Sequence, residues 1–163
     1  MANLCEYDMM IVGKTKESIE RLVKIMRYED PEFFIYRVFD VNVYEEPNQG
    51  YQSDLWVMKI CGDAAWSANS WINSKPNKEN KYNGAYFTNL LHLCKELDIG
   101  VEIYTKEEGC GFQEYYLVNN KGELVSSECE KWRYEYDDDG NILSKEGGIE
   151  HFGEFSFPDE LYK

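Results

Sequence analysis

Two stretches of this chain place apolar residues at helical spacing, and several others alternate apolar with polar residues. The helical stretches are residues 16–28 and residues 87–97, and the second of these ends before Gly100. Apolar residues that recur every three or four positions predict amphipathic helices, whereas strict alternation predicts half-buried strands. The two kinds of pattern follow one another along the chain, which predicts that the protein folds as helices packed against a sheet.

The order of these segments constrains the fold further. Alternation and runs of aromatic or β-branched residues predict strands over residues 5–12, 33–44, 54–61 and 101–105. With the two helices, the order is β-α-β-β-α-β, which is the order of the ferredoxin-like fold. We therefore expect an α+β protein with an antiparallel sheet and both helices on one face. Residues 62–84 are predicted to connect the central strand with the second helix.

The remainder of the chain predicts additional antiparallel strands. Residues 112–118 and 123–127 flank an Asn-Asn-Lys-Gly turn, and residues 132–136 precede an Asp- and Gly-containing turn. The 163 residues fit one domain, because domains of this size are common. Within this single domain, 1–163, we expect a ferredoxin-like core at 1–118, a hairpin extension at 119–146 and a loosely attached acidic tail at 147–163.

The chain is strongly acidic, and the acidity is uneven. Its formal net charge is -14, and residues 123–160 contain twelve acidic residues against three basic ones. A field of this sign repels nucleic-acid phosphates and anionic membrane surfaces. It attracts basic protein surfaces, although such a charge also serves solubility alone. We therefore expect no direct binding to nucleic acid or membranes, and a basic surface of another protein is the expected partner.

Several residues are candidates for contact with that partner. Trp71 lies in a polar stretch and is predicted to be an exposed anchor, because tryptophan is enriched at interface hot spots. The other candidates are acids in the region of highest charge: Glu128, Glu130, Glu135, Asp137, Asp138 and Asp139.

Part of the same acidic region has the spacing of a calcium-binding loop. Counted from Glu135, acids occupy positions 1, 3, 5 and 12 (Glu135, Asp137, Asp139 and Glu146), and Gly140 occupies position 6. An EF-hand requires a helix before the loop, whereas residues 132–136 alternate like a strand. The alternatives are an ordinary β-hairpin turn, a weak calcium site in such a turn, and a true EF-hand; the hairpin agrees best with the alternation.

No pattern in the sequence predicts a catalytic residue or a resident cofactor. The two histidines, His92 and His151, lack the thiol or histidine neighbours of a zinc site, and no serine lies in a nucleophile elbow. The five cysteines are odd in number, widely spaced and without a CxxC pair, and no apolar signal segment precedes them. Reduced thiols and a cytoplasmic location are therefore expected.

Three segments resemble YubB-type ferredoxin-like domain proteins. They are the opening Met1-Ala-Asn-Leu-Cys-Glu-Tyr with the strand and helix that follow, Ala64-Ala65-Trp66-Ser67, and the segment from Tyr104 through Glu107-Glu108-Gly109-Cys110-Gly111-Phe112. The resemblance covers about residues 1–118 and implies a ferredoxin-like fold encoded by a phage, plasmid or other mobile element. It implies no catalytic residues.

These observations favour a non-catalytic, acidic protein-binding module of a mobile element. One concrete form is an anti-CRISPR-like inhibitor that mimics nucleic acid and occupies the basic channel of a host defence nuclease. The alternative is a calcium- or small-ligand-binding module, including an enzyme of unknown reaction. The sequence leaves the oligomeric state open.

Overall fold

The computed structural model of the chain describes residues 3–50 and 53–162. Met1 and Ala2, with which the first segment of the resemblance opens, lie outside these ranges, as do Tyr51, Gln52 and Lys163. The strands are β1 (Leu4–Gly13), β2 (Phe33–Phe34), β3 (Asn42–Gln49), β4 (Trp56–Ala65), β5 (Asn77–Tyr82), β6 (Ala85–Phe87), β7 (Ile99–Glu107), β8 (Phe112–Val118), β9 (Leu124–Tyr136) and β10 (Ile142–Gly147). The helices are α1 (Lys16–Met26), α2 (Asn69–Asn73) and α3 (Leu90–Leu97), and Asp159–Leu161 forms a 3-10 turn.

A large antiparallel sheet organises the protein, so the expected mixed α+β class is confirmed. In the described ranges, the strands of this sheet lie in the order β10-β9-β8-β7-β1-β4-β3. The strand β1 pairs with β4 from Leu4↔Ala65 to Gly13↔Trp56, and on its other side with β7. Side chains of β1 alternate between two faces, which are called here the helix face and the second face.

The helices α1 and α3 cover the helix face. Thr15 caps α1 by accepting a hydrogen bond from the Ser18 amide, 3.2 Å away, and Asn89 caps α3 by accepting one from the His92 amide, 2.8 Å away. The apolar stripes of both helices pack against Met9 and Ile11 of β1 in the main core. The helix α3 begins three residues later than its apolar pattern suggests, because Phe87 belongs to β6.

A second, three-stranded sheet was not predicted. It has the order β2-β6-β5, and β2 pairs with β6 in parallel through Phe33↔Tyr86. The strand predicted over residues 33–44 is therefore two separate strands, β2 and β3, in different sheets. The chain turns between them at Arg37, whose φ of 67° lies in the left-handed region.

Trp71 lies in the core, so the prediction of an exposed anchor is wrong. Its side chain is 1% exposed and packs edge-on against Tyr7, with ring centroids 5.1 Å apart. The polar stretch around it forms the short helix α2, which turns Trp71 and Ile72 inward while its asparagines remain at the surface. Burial of so large an apolar surface outweighs the polar character of the neighbouring residues.

The end of the chain packs across the second face of the sheet, instead of forming the loosely attached tail that was expected. A second cluster joins Tyr104, Tyr115 and Leu117 of the sheet to Ile149, and Phe152, Phe155 and Phe157 pack against it. Gly100 permits this approach, because a Cβ at that position would lie 2.3 Å from the ring of Phe157. Residues 148–162 therefore form a cover, called here the C-terminal strap.

None of the helices in the two described ranges has the length and apolar character needed to cross a bilayer.

The buried position of Trp71 can be tested by truncation. Trp71→Ala should lower the free energy of unfolding by about 3–5 kcal/mol, because it removes a large buried side chain and leaves a cavity. Trp66→Ala, at a side chain that is 54% exposed, serves as the matched control and should have a much smaller effect. Urea unfolding of both variants measures the difference, and equal losses would contradict the assigned burial.

Candidate functional site

The β9–β10 hairpin extends beyond the rest of the large sheet. Strand β9 pairs with β8 only as far as Phe112↔Lys131, while its last residues pair with β10 from Gly147↔Trp132 to Ile142↔Tyr136. Residues 132–147 are therefore two-stranded and are called here the arm. Every residue of β10 is exposed, so this strand presents a free edge to solvent.

The turn of the arm is held by Asp137. Its Oδ1 accepts hydrogen bonds from the backbone amides of Asp139 and Asn141, at 3.0 and 2.8 Å. These bonds, those from Asn141 first, lower the pKa of the Asp137 carboxyl below its ordinary value, since they favour the charged form. Gly140 supplies the left-handed residue of the turn with a φ of 83°. This geometry agrees with the hairpin alternative.

Two of the four residues with calcium-loop spacing, Glu135 and Glu146, form hydrogen bonds between the two strands of the arm. Glu146 accepts a hydrogen bond from the Arg133 guanidinium at 2.6 Å, and Glu135 accepts one from the Ser144 hydroxyl at 3.2 Å. In the described part of the chain, no three His, Cys, Asp or Glu side chains lie together in a group that could hold a metal ion. The segment before the turn is strand β9, so the helix that an EF-hand requires is replaced by a strand.

The six acids predicted to contact a partner differ in the contacts that they make within the fold. Glu128 contacts His151 of the strap, Glu135 lies 3.9 Å from Arg133, and Asp137 holds the turn. Glu130, Asp138 and Asp139 are exposed, and none of these three forms an ion pair within residues 3–50 and 53–162. Two of the unpaired acids, Asp138 and Asp139, therefore lie side by side at the end of the arm.

Exposed apolar residues flank these two acids along the hairpin. Tyr136, Ile142 and Leu143 are 57%, 58% and 67% exposed, respectively. Tyr136 continues a row of rings along the arm, with centroids 4.7 Å apart between Trp132 and Tyr134 and 6.2 Å apart between Tyr134 and Tyr136. Residues 136–143, called here the arm tip, combine exposed apolar and exposed acidic side chains, and both kinds of side chain occur at protein interfaces.

Two polar residues that hold the strap were not identified from the sequence. Buried Glu102 accepts hydrogen bonds from the Tyr115 hydroxyl and from the Ser156 amide, both at 2.9 Å. His151 contacts Glu128 at 2.6 Å through Nε2 and the Tyr104 hydroxyl at 2.9 Å through Nδ1. The sequence does contain a signal for Glu102, because it is the single acid inside the apolar run 99–104. A carboxylate buried in such a strand needs specific hydrogen-bond donors.

The three segments that carry the family resemblance meet at one end of the sheet. They contribute Asn3, Trp66, Ser67, Glu107, Cys110 and Phe112 to a cavity of about 290 Å³. The Ser67 hydroxyl donates to buried Glu114 at 2.5 Å, and the two oxygens of Glu107 accept from the amides of Gly109 and Cys110. The convergence was not predicted, because the three segments are far apart in sequence.

A separate depression lies on the part of the second face that the strap leaves open. It has a volume of about 420 Å³, and its charged lining is acidic apart from Lys106. Within this lining, burial raises the pKa of Asp8 above its ordinary value, although the Tyr44 hydroxyl donates to that carboxylate at 2.5 Å. The open face therefore adds to the negative potential of the molecule.

Comparison of the chain with protein-family models, with curated proteins and with solved structures gave no match.

The anchoring of the strap by Glu102 predicts a pH effect. Burial raises the pKa of Glu102 above its ordinary value of 4.5. The folded state therefore retains a proton that the unfolded chain releases, and the free energy of unfolding falls as the pH rises from about 4.5 through the raised pKa. In the Glu102→Gln variant this carboxyl is absent and cannot titrate. The free energy of unfolding of the variant, measured relative to that of wild type, should therefore increase as the pH rises in that window.

Urea unfolding at a series of pH values measures this difference. Glu130→Gln, which changes an exposed carboxylate on β9, provides the control and should show no comparable trend. A Glu102→Gln difference that is independent of pH would contradict the burial of a titrating carboxylate at this position.

The use of Asp137 and Glu146 inside the arm predicts a weak response to calcium. Millimolar calcium should not raise the midpoint of thermal unfolding more than magnesium does, because a site that binds only the folded state would raise it. A calcium-specific rise that is lost in Asp139→Asn would instead support the weak cation site.

Proposed function

We propose that this chain is a non-catalytic binding protein whose arm tip docks on a basic surface of another protein. The observation that carries the proposal is the exposure of Tyr136, Ile142 and Leu143 next to the unpaired acids Asp138 and Asp139. Exposed apolar side chains in such a group favour burial by a partner. The adjacent acids favour a partner of opposite charge.

The net charge of the whole chain also favours a basic partner. The net charge of -14 steers basic surfaces towards the protein and repels polyanions. Long-range attraction of this kind acts mainly on the association rate and weakens with salt. The arm tip then supplies the short-range contacts, since apolar groups contribute most when they are fully buried at the centre of an interface.

The partner class that fits these features best is a nucleic-acid enzyme with a basic channel, in which the acidic protein takes the place of nucleic acid. The resemblance to YubB-type proteins supports a phage or mobile-element origin, and with it an anti-CRISPR-like role against a host nuclease in the cytoplasm. The alternative of a small-ligand-binding module is favoured by a different observation, the 290 Å³ cavity.

We also propose that the core is ferredoxin-like. Strands β7, β1, β4 and β3 lie side by side and antiparallel, and the chain order of β1, α1, β3, β4, α3 and β7 is β-α-β-β-α-β. This order supports two split βαβ units, with β8, β9 and β10 as the antiparallel extension. The strands of the small second sheet come from a connection inside each unit, β2 from between α1 and β3, and β5 and β6 from between β4 and α3.

The docking proposal predicts that arm-tip variants lose a partner that wild type binds. Proteins captured from a bacterial extract at low salt should include a basic nuclease whose activity falls when this protein is added. Tyr136→Ala should weaken that complex by about tenfold or more, because it truncates an interface anchor. Asp138→Lys with Asp139→Lys should slow association and reduce its dependence on salt.

The matched control is Glu29→Lys with Glu96→Lys, which changes the net charge equally at exposed positions outside the arm. If this control weakens binding as much as the arm-tip pair does, net charge alone explains the association. Capture of a nuclease that both arm-tip variants bind as wild type does would contradict the proposed docking site.

A further inference from the structure

Two buried carboxylates at one end of the sheet lack a basic partner. Glu107 and Glu114 are 2% and 3% exposed, and neither forms an ion pair with any Lys, Arg or His in the described ranges. Lys106, the sequence neighbour of Glu107, instead contacts Glu6 and Glu108 at 3.5 and 3.7 Å. Buried charges are usually paired, since their desolvation is costly.

Uncharged donors, namely hydroxyls and backbone amides, supply the hydrogen bonds of these two side chains. Glu114 accepts from the hydroxyls of Ser67, Thr105 and Tyr116 and from the amide of Ala68. Burial raises the pKa of the neighbouring Cys5 thiol to about 12, and Glu114 and Glu107 add to that rise. The absence of an ion pair at Glu107 and Glu114 means that the described residues supply no cation at this end of the sheet.

The cavity described above provides a place for such a cation. Among the described residues that line it, Glu107 is the one with an ionisable carboxyl, and the aromatic residues Trp66 and Phe112 also belong to the lining. A volume of about 290 Å³ far exceeds that of a bare metal ion, and the described residues contain no group of metal ligands. Aromatic rings beside a carboxylate are the surroundings that bind organic ammonium groups.

The ring of Trp66 is held at this surface and already attracts a cation. Its backbone has a φ of 70°, a conformation that is unusual for a bulky residue, and its amide donates to the carbonyl oxygen of Asn3 at 2.8 Å. The Arg37 guanidinium lies 4.2 Å from the ring centroid, yet Arg37 does not line the cavity.

The hydrogen bonds around the cavity favour a methylated over a primary ammonium. Each oxygen of Glu107 already accepts a backbone amide, and the Ser67 hydroxyl is donated to Glu114. A primary ammonium carries three N–H donors that need acceptors, whereas a quaternary ammonium carries none. Its methyl groups can instead pack against the two rings.

We propose that this cavity binds a quaternary methylammonium group, with Trp66 and Phe112 contacting the methyl groups and Glu107 supplying the opposite charge. The group belongs either to a small molecule of the choline type or to a trimethylated lysine side chain of a protein. This binding is independent of the arm tip, so the two proposals can fail separately.

The test compares choline with its uncharged isostere, 3,3-dimethylbutan-1-ol, in titrations of the whole chain followed by NMR of the tryptophan indole groups. Choline should bind about 2- to 30-fold more tightly than the isostere, the range expected for cation–π attraction. Binding of equal strength, or no binding of choline, would overturn the proposal.

Variants locate the binding. Trp66→Leu and Phe112→Leu keep apolar bulk but remove a π face, and each should weaken choline binding several-fold. Phe39→Leu, at an exposed aromatic residue outside the cavity lining and the arm, should leave it unchanged. Near-ultraviolet circular dichroism confirms that each variant is folded, and unaltered choline binding by both folded cavity variants would also overturn the proposal.

A final pair of titrations separates the two sources of the group. A peptide with trimethyl-lysine and the same peptide with unmodified lysine are compared with free choline. Preference for the trimethylated peptide over choline would identify a protein side chain as the natural occupant, and the reverse would identify a small molecule. Equal binding of the methylated and unmodified peptides would contradict recognition of the methyl groups.

Discussion

The pairing of β1 on both of its sides is the constraint on which the other layers depend. This strand lies in the interior of the large sheet, with β4 and β7 bonded along nearly its whole length. Its apolar residues lie on both faces, Met9 and Ile11 on one and Met10 and Val12 on the other, and all four are buried. A strand of this kind needs a cover on each face, because apolar surface left in water costs about 25 cal/mol per Å². The helices provide one cover and the strap provides part of the other.

Buried carboxylates attach loops or the strap to each face. On the helix face, Glu114 binds the Ser67 hydroxyl and Ala68 amide of the loop that leads into α2. On the second face, Glu102 binds the Ser156 amide of the strap. A charge-assisted hydrogen bond to a buried group is strong and directional. These two residues therefore fix where the loop and the strap contact the sheet, while the apolar clusters supply most of the favourable free energy.

Local patterns in the sequence predicted the elements that show a clear period or turn motif within a short window. The helix α1, the strand β1 and the turn held by Asp137 follow from spacing and turn chemistry alone. The small second sheet, the burial of Trp71 and the packing of the strap depend on contacts between segments far apart in the chain. Trp71 has polar neighbours in the sequence, and the strap is rich in acids, so neither segment was predicted to be buried. Composition within a short window does not show which side chain turns inward. The cavity was hidden for the same reason, because each of its three segments carries only part of the lining.

The structure also divides the acidic residues by what they contact, which net charge alone cannot do. Glu102 and Asp137 have backbone amide donors, and Glu146 has Arg133. The oxygens of these three side chains are engaged within the fold, so they are less accessible to a partner at short range. Asp138 and Asp139 form no ion pair in the described residues, and they repel each other at the arm tip. This repulsion slightly lowers the free energy of unfolding of the isolated chain. A basic group that approaches the two acids offsets the repulsion, and this offset contributes favourably to the free energy of docking.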